Sequence, residues 1–198
     1  MSDRKLRLFV AADIPPEARA LISSSMEVLR ERVEGSRWVD PKNLHLTLKF
    51  IGSYLEEGLP RLEKEILAVG ERCAAFTAAL GGCGAFPSRR RARVIWVGMC
   101  EGAEGAGAVA RKLDARLEDA GVKREERPFR GHLTLARLKS PVDCASDLDE
   151  LEARLRGLSD MVFDVDEIVL YSSILGPHGP TYVELQRAPL GGKPSEKG

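Results

Sequence analysis

The chain has 198 residues, 30 Lys+Arg against 30 Asp+Glu, 43% hydrophobic residues, four cysteines and three histidines. That balance excludes a disordered polyelectrolyte, and zero net charge means that any nucleic-acid contact must come from a local basic patch. No apolar run approaches the ~18 residues of a membrane span, and Met1–Pro16 lacks a secretory pattern. Cys73, Cys83, Cys100 and Cys144 form no Cys-x-x-Cys pair, so a cytoplasmic chain with reduced thiols is the expectation.

Leu6–Ala12 reads as an apolar strand that stops at Asp13-Ile14-Pro15-Pro16, where two prolines suit a turn and a helix start. Apolar residues at Ala18, Leu21, Ile22, Met26, Leu29 and Val33 predict an amphipathic helix over Glu17–Val33, ended by Gly35. Trp38–Pro41 is a short extended piece feeding a strand over Leu44–Ile51. Gly58 to Cys73 predicts a second helix. Phe76–Phe86 and Ala92–Met99 read as strands, joined by Pro87-Ser88-Arg89-Arg90-Arg91. A helix over Gly107–Ala120, a strand over Leu133–Leu138 and a helix over Ala145–Leu158 follow. Val162–Ile174 and Thr181–Arg187 read as closing strands, and Gly191–Gly198 as a flexible tail behind a single bilobal domain over residues 1–190. Strict strand–helix–strand alternation is missing, so the fold class is α+β with largely antiparallel sheets. No Gly-x-Gly-x-x-Gly or Walker-type loop is present.

One internal repeat stands out. His45-Leu46-Thr47-Leu48 recurs as His132-Leu133-Thr134-Leu135, so two of the three histidines head the same tetrapeptide. Given a histidine, average usage places Leu-Thr-Leu after it on the order of once in two thousand times. On a strand the side chains alternate, so each His shares a face with its Thr, roughly 6.5 Å along, while the leucines anchor the opposite face. Either motif alone fits a half-buried strand histidine beside a β-forming threonine. Two in matching register suggest more. Two imidazoles suit in-line cleavage of a phosphodiester, one taking a proton from the attacking oxygen and the other protonating the departing one. The threonine hydroxyls suit donation to the non-bridging oxygens.

The flanks extend the pattern: Arg7–Ala11, Trp38–Leu44, Phe50-Ile51-Gly52, Phe86-Pro87, Arg93–Gly98, Arg127-Pro128-Phe129 and Ala136-Arg137. With the two His-x-Thr-x motifs, they resemble the RNA 2′,3′-cyclic phosphodiesterase (2′-5′ RNA ligase) family of the two-histidine (2H) phosphoesterase superfamily, from about Arg4 to Arg187. Gly131 and Ala92 stand where that family commonly has proline. The resemblance implies two pseudo-equivalent lobes around a central groove, no metal or other cofactor, and hydrolysis of a 2′,3′-cyclic phosphate to a 2′-phosphate. It implies His45 as proton donor and His132 as proton acceptor, beside Thr47 and Thr134.

Arg137 would lie on the face opposite His132 if its strand stayed regular; the resemblance makes it a phosphate or nucleotide ligand. Arg130 shares the His132 face by spacing and stands between groove contact and surface. Phe9 and Phe50 are candidates to stack on a terminal base, and Tyr182 to donate to a phosphate or sugar. Arg89, Arg90, Arg91 and Arg93 form the densest basic run and a candidate for backbone contact. His178 sits in a turn without a following Thr. The expected partner is RNA ending in a 2′,3′-cyclic phosphate, bound by a monomer away from membranes. Ligation in reverse, a phosphodiesterase for 2′-5′ oligonucleotides or cyclic nucleotides, and a non-catalytic nucleotide-binding module remain open.

Overall fold

The computed structural model describes residues 4–177 and 179–192. The expected tail beyond 192 and His178 lie outside the described residues. Among the described residues, nine strands form two antiparallel sheets. A four-stranded sheet has the order β3-β1-β8-β9, with β1 Lys5–Ala12, β3 Leu46–Leu55, β8 Glu167–Gly176 and β9 Gly179–Pro189. A five-stranded sheet has the order β2-β6-β5-β4-β7, with β2 Ser36–Trp38, β4 Phe76–Phe86, β5 Ala92–Glu101, β6 His132–Val142 and β7 Phe163–Val165.

The sheets do not divide the chain at its middle. The chain visits the first sheet with β1, the second with β2, returns with β3, stays in the second from β4 to β7, and closes in the first. β1 is central, which is why Leu8–Ala12 is apolar without alternation and buried throughout. The helices α1 Pro16–Arg30, α2 Leu59–Gly70, α3 Ala103–Glu118 and α4 Ala145–Arg154 cover the sheets, α1 against α4 and α2 against α3, β8 and β9. One continuous apolar core joins residues of both sheets, among them Leu46, Leu48, Leu133 and Leu135. Each such leucine contributes about 1.5–3 kcal/mol by leaving water.

Three boundaries differ from the sequence reading for identifiable reasons. Helix α3 starts four residues before Gly107. Gly102, at φ +80°, turns the chain off β5 in the left-handed region, and Gly105 is needed where a Cβ would stand 2.5 Å from Phe76 Cγ. The glycines that lower helix propensity here answer to packing. The strand expected over Val162–Ile174 is two strands, because the chain changes sheets at Asp166: Phe163–Val165 pairs with β4 and Glu167–Gly176 with β1 and β9. Finally, the first two residues of the expected tail are docked. The Gly191 amide donates to Gly70 O at 3.1 Å and the Gly192 amide to Cys73 O at 2.8 Å. Among the described residues no helix is long and apolar enough to cross a membrane.

Candidate active site

The two His-x-Thr motifs sit on β3 and β6, which approach within 8 Å, Cα to Cα, across the boundary between the sheets. His45 lies immediately before β3 and His132 opens β6. Both rings are half-buried, and both are held the same way. His45 Nδ1 is 2.7 Å from Asn43 O, and His132 Nδ1 is 2.7 Å from Arg130 O. A carbonyl only accepts, so each imidazole carries its proton on Nδ1 and leaves Nε2 free for chemistry. The device is a backbone carbonyl two residues upstream, and it recurs in both motifs.

The correspondence continues past the motifs. Val10 pairs with Lys49 and Ala11 with Thr47, leaving Leu48 as an extra residue on β3. Ile95 pairs with Ala136 and Trp96 with Thr134, leaving Leu135 as the extra residue on β6. Each motif thus ends in a bulge at its second leucine. A bulge resets the alternation, and the burial pattern along His45–Phe50 and His132–Arg137 is the same: half-buried, buried, half-buried, buried, buried, exposed. Arg137 therefore turns outward beside Thr134 although it lies five positions after His132, and Phe50 occupies the corresponding place on β3.

The surroundings of the two rings differ. Phe9 stacks on His45 with centroids 4.7 Å apart and 27° between planes, and Tyr182 meets the same ring edge-on at 5.3 Å. Phe86 meets His132 edge-on at 5.2 Å, with Trp96 at 6.3 Å. Gly84 makes room for that indole, since a Cβ there would stand 2.4 Å from Trp96 Cζ2. The Gly131 departure is matched by Met99: a Cβ at 131 would meet Met99 Sδ at 2.4 Å, so the methionine occupies the space.

Three cavities surround the motifs. One of about 420 Å³ contains His45 with Asp13, Lys42, Asn43, Tyr171, Thr181 and Tyr182. A second, about 450 Å³, is lined by Thr47 and Phe50 of β3 together with Arg127, Phe129, Arg130 and His132, so both motifs reach it. A third, about 670 Å³, holds Arg37, Trp38, Arg137 and Tyr182 and shares Lys42, Asn43 and Thr181 with the first. Among the described residues neither motif's threonine hydroxyl has a hydrogen-bond partner, nor do three or more His, Cys, Asp or Glu side chains gather to hold a metal.

The candidate residues separate by place. Phe50 is 57% exposed beside Thr47, and Tyr182 reaches both His45 and the Arg137 cavity. The expectation for Phe9 is corrected. It is 5% exposed, with its ring taken up by His45, Tyr171 and Tyr182, so it braces the imidazole and offers no face to a base. Arg130 contributes its carbonyl to His132 as well as a side chain to the shared cavity. Arg89 turns away to Asp149 at 2.6 Å on α4, and the Arg89–Arg93 run lines none of these three cavities.

Sequence reasoning missed Asn43, Asp13, Tyr171 and Arg19. Asn43 is buried and ties the site together, its amide donating to Pro180 O at 2.8 Å while its carbonyl takes His45. Arg19 donates to Pro41 O and Lys42 O at 3.2 and 2.8 Å, fixing the turn that delivers His45. Tyr171 donates to Asp13 at 2.8 Å. Only the spacing Asn-Leu-His signalled any of this.

Burial lowers the His45 pKa. The Asn43 carbonyl and the Asp13 carboxylate pull it up, Arg19 pushes it down, and the balance stays below the ordinary histidine value. An anion between the strands opposes this desolvation by favouring imidazolium. We expect an NMR titration to find the His45 midpoint below the usual ~6.5 in the free protein and to see it rise when inorganic phosphate is added. A midpoint unmoved by saturating phosphate would detach His45 from the anion site.

The model of the LigT like Phosphoesterase family matches the chain twice, over residues 13–96 and 97–182, one motif in each match. The chain belongs to the LigT-like phosphoesterase family. This LigT-like chain is 33% identical over 182 residues to the RNA 2′,3′-cyclic phosphodiesterase of Methanothermobacter thermautotrophicus, covering 92% of this chain and 97% of that one. It is 34% identical over 198 residues to the protein of the same name from Thermus thermophilus, covering 95% and 92%. Among solved structures, a Thermus thermophilus protein superposes with a TM-score of 0.77 at 32% identity, covering 95% of this chain and all of that one. Escherichia coli LigT complexed with 3′-AMP superposes at 0.71 with 28% identity, covering 94% and 99%. The LigT-like fold is thus the α+β arrangement of two antiparallel sheets expected from the sequence.

Proposed function

We propose that this phosphoesterase hydrolyses the 2′,3′-cyclic phosphate end of RNA to a 2′-phosphate, with His45 and His132 as a paired acid and base. The observation that carries the reading is the matched Nδ1 bond to the carbonyl two residues upstream, at 2.7 Å in each motif, which leaves two Nε2 atoms for one chemistry. The relatives named RNA 2′,3′-cyclic phosphodiesterase supply the substrate class.

In the step proposed, His132 Nε2 takes a proton from a water as its oxygen attacks phosphorus. The bond from phosphorus to the 3′-oxygen breaks, and His45 Nε2, as imidazolium, gives its proton to that oxygen. The 2′-ester bond is kept. Thr47 and Thr134 donate to the non-bridging oxygens where charge builds. Burial lowers the His45 pKa from the ordinary histidine value, and an anionic substrate beside the ring would favour its imidazolium form. Phe50 would offer its exposed ring to a base, and Tyr182, Arg130 and Arg137 would contact phosphate or sugar. Residues 1–190 would act as one catalytic unit, in a monomer, since a single copy carries both motifs.

The test is product analysis on a short RNA ending in a 2′,3′-cyclic phosphate, in excess chelator. We expect a 2′-phosphate product at an undiminished rate. A 3′-phosphate product, or turnover restored only by a divalent ion, would overturn the reading.

A further inference from the structure

The pairing of β2 with β6 sets Arg37 directly opposite Arg137. Directly opposed residues on an antiparallel pair are close neighbours, and like charges there are destabilising unless something lies between or beside them. Neither arginine has an ion pair or a hydrogen bond among the described residues. Both line the 670 Å³ cavity, together with Arg30 and Lys42. Its one carboxylate, Asp40, is already engaged, 3.1 Å from Lys42 Nζ and accepting from the Lys42 amide at 3.1 Å. Arg30 is held by Glu27 at 2.9 Å. The cavity that contains His132 differs, because Asp114 and Glu125 stand among its arginines. A net-neutral chain has thus set two arginines in cross-strand register on one cavity, neither with an acidic partner among the described residues.

The place of this pair gives it meaning. The cavity shares Lys42, Asn43, Thr181 and Tyr182 with the one that contains His45, and Tyr182 feels the Arg137 charge. An anion seated between Arg37 and Arg137 would lie next to the reacting phosphate without being it. We propose that Arg37 and Arg137 form a second phosphate subsite, for the phosphodiester one nucleotide upstream of the cyclic phosphate. The preferred substrate is then an oligonucleotide end, and a mononucleoside cyclic phosphate is a poor one. This rests on the cyclic-phosphodiesterase reading above and adds the length of chain that the site grips.

The test compares three substrates: a mononucleoside 2′,3′-cyclic phosphate, a dinucleotide with the same end, and that dinucleotide with its internal phosphate replaced by a neutral methylphosphonate. We expect the wild-type kcat/KM for the charged dinucleotide to exceed that for the mononucleoside by about tenfold, the scale of one charge-assisted contact. The methylphosphonate should lose that advantage. In Arg37→Gln the ratio of dinucleotide to mononucleoside should fall towards one, and in Arg37→Lys it should be partly retained. Arg37 is exposed, so these variants keep the fold. An Arg37→Gln ratio equal to wild type, or a methylphosphonate as good as the phosphodiester, would overturn the subsite while leaving the hydrolase reading intact. No turnover of any of the three would remove that reading and the subsite with it.

Discussion

Replacing His45 or His132 with alanine should nearly eliminate hydrolysis of a 2′,3′-cyclic phosphate, while Thr47→Val or Thr134→Val leaves measurable activity. An acid or a base contributes roughly 10²–10⁴ in rate, and one donor to a developing charge roughly 10²–10³. The histidine losses therefore sit at or above the threonine losses, and steady-state kinetics on a defined RNA end separates them. All four variants should fold, because the burial on these strands is carried by Leu46, Leu48, Leu133 and Leu135 while both histidines and both threonines are only half-buried. The removed rings leave Phe9 and Phe86 each without one partner, a small effect beside the core. Near wild-type turnover in His132→Ala would remove the two-histidine assignment and bring forward the nucleotide-binding reading.

The largest effect on stability is expected at Lys49, directly behind the first motif. Its side chain is buried, 2% exposed as a residue, and Nζ donates to Asp114 Oδ1 at 2.6 Å and to Lys123 O at 2.8 Å. Asp114 also accepts from the Glu125 amide at 2.8 Å. The first-motif strand is thus tied to α3 and to the start of the loop that brings Arg130 O to His132. Lys49→Met takes one partner from Asp114, which keeps the Glu125 amide and is partly exposed, and leaves the Lys123 carbonyl unpaired, a loss of about 1–3 kcal/mol. At ~2–4 °C per kcal/mol for a chain of this size, Tm should drop by roughly 5 °C.

The pH dependence of that loss has a definite sign. Burial pushes the Asp114 carboxyl up, but the Lys49 hydrogen bond, the Glu125 amide and the Lys49 and Arg124 charges outweigh it, and the carboxyl ends below its ordinary value. A carboxylate depressed in the fold adds stability above its unfolded pKa and loses it as pH falls through the folded value. The gap between wild type and Lys49→Met should therefore be full at neutral pH and shrink in acid below the ordinary Asp range. A gap under about 1 kcal/mol at neutral pH, or one that does not narrow in acid, would show that the pair holds nothing in place.

The repeated tetrapeptide was legible because it depends only on alternation: leucines inward, imidazole and hydroxyl outward. The sheet class followed from the element pattern, and the strands carrying the motifs were placed within a few residues. What escaped has a common cause. Strand alternation assumes regular pairing, and the bulges at Leu48 and Leu135 reset it, so the outward turn of Arg137 and Phe50 depends on partners far along the chain. The same reset buries Lys49, which composition would leave in solvent. Phe9 and Phe50 look alike in sequence, yet β1 is central and β3 is an edge, which hides one ring and exposes the other. Arg37 drew no attention because its meaning lies in a cross-strand neighbour far along the chain, Arg137.

The central claim is that the two imidazoles act together on one displacement, and the rate of the His45→Ala/His132→Ala double variant tests it most directly. Groups that act as one unit are grossly non-additive. The account predicts that the double variant, measured beside both single variants on the same cyclic-phosphate RNA end, falls within a few-fold of the slower single. Losses that multiply, so that the double variant is slower by the product of the two single effects, would contradict it.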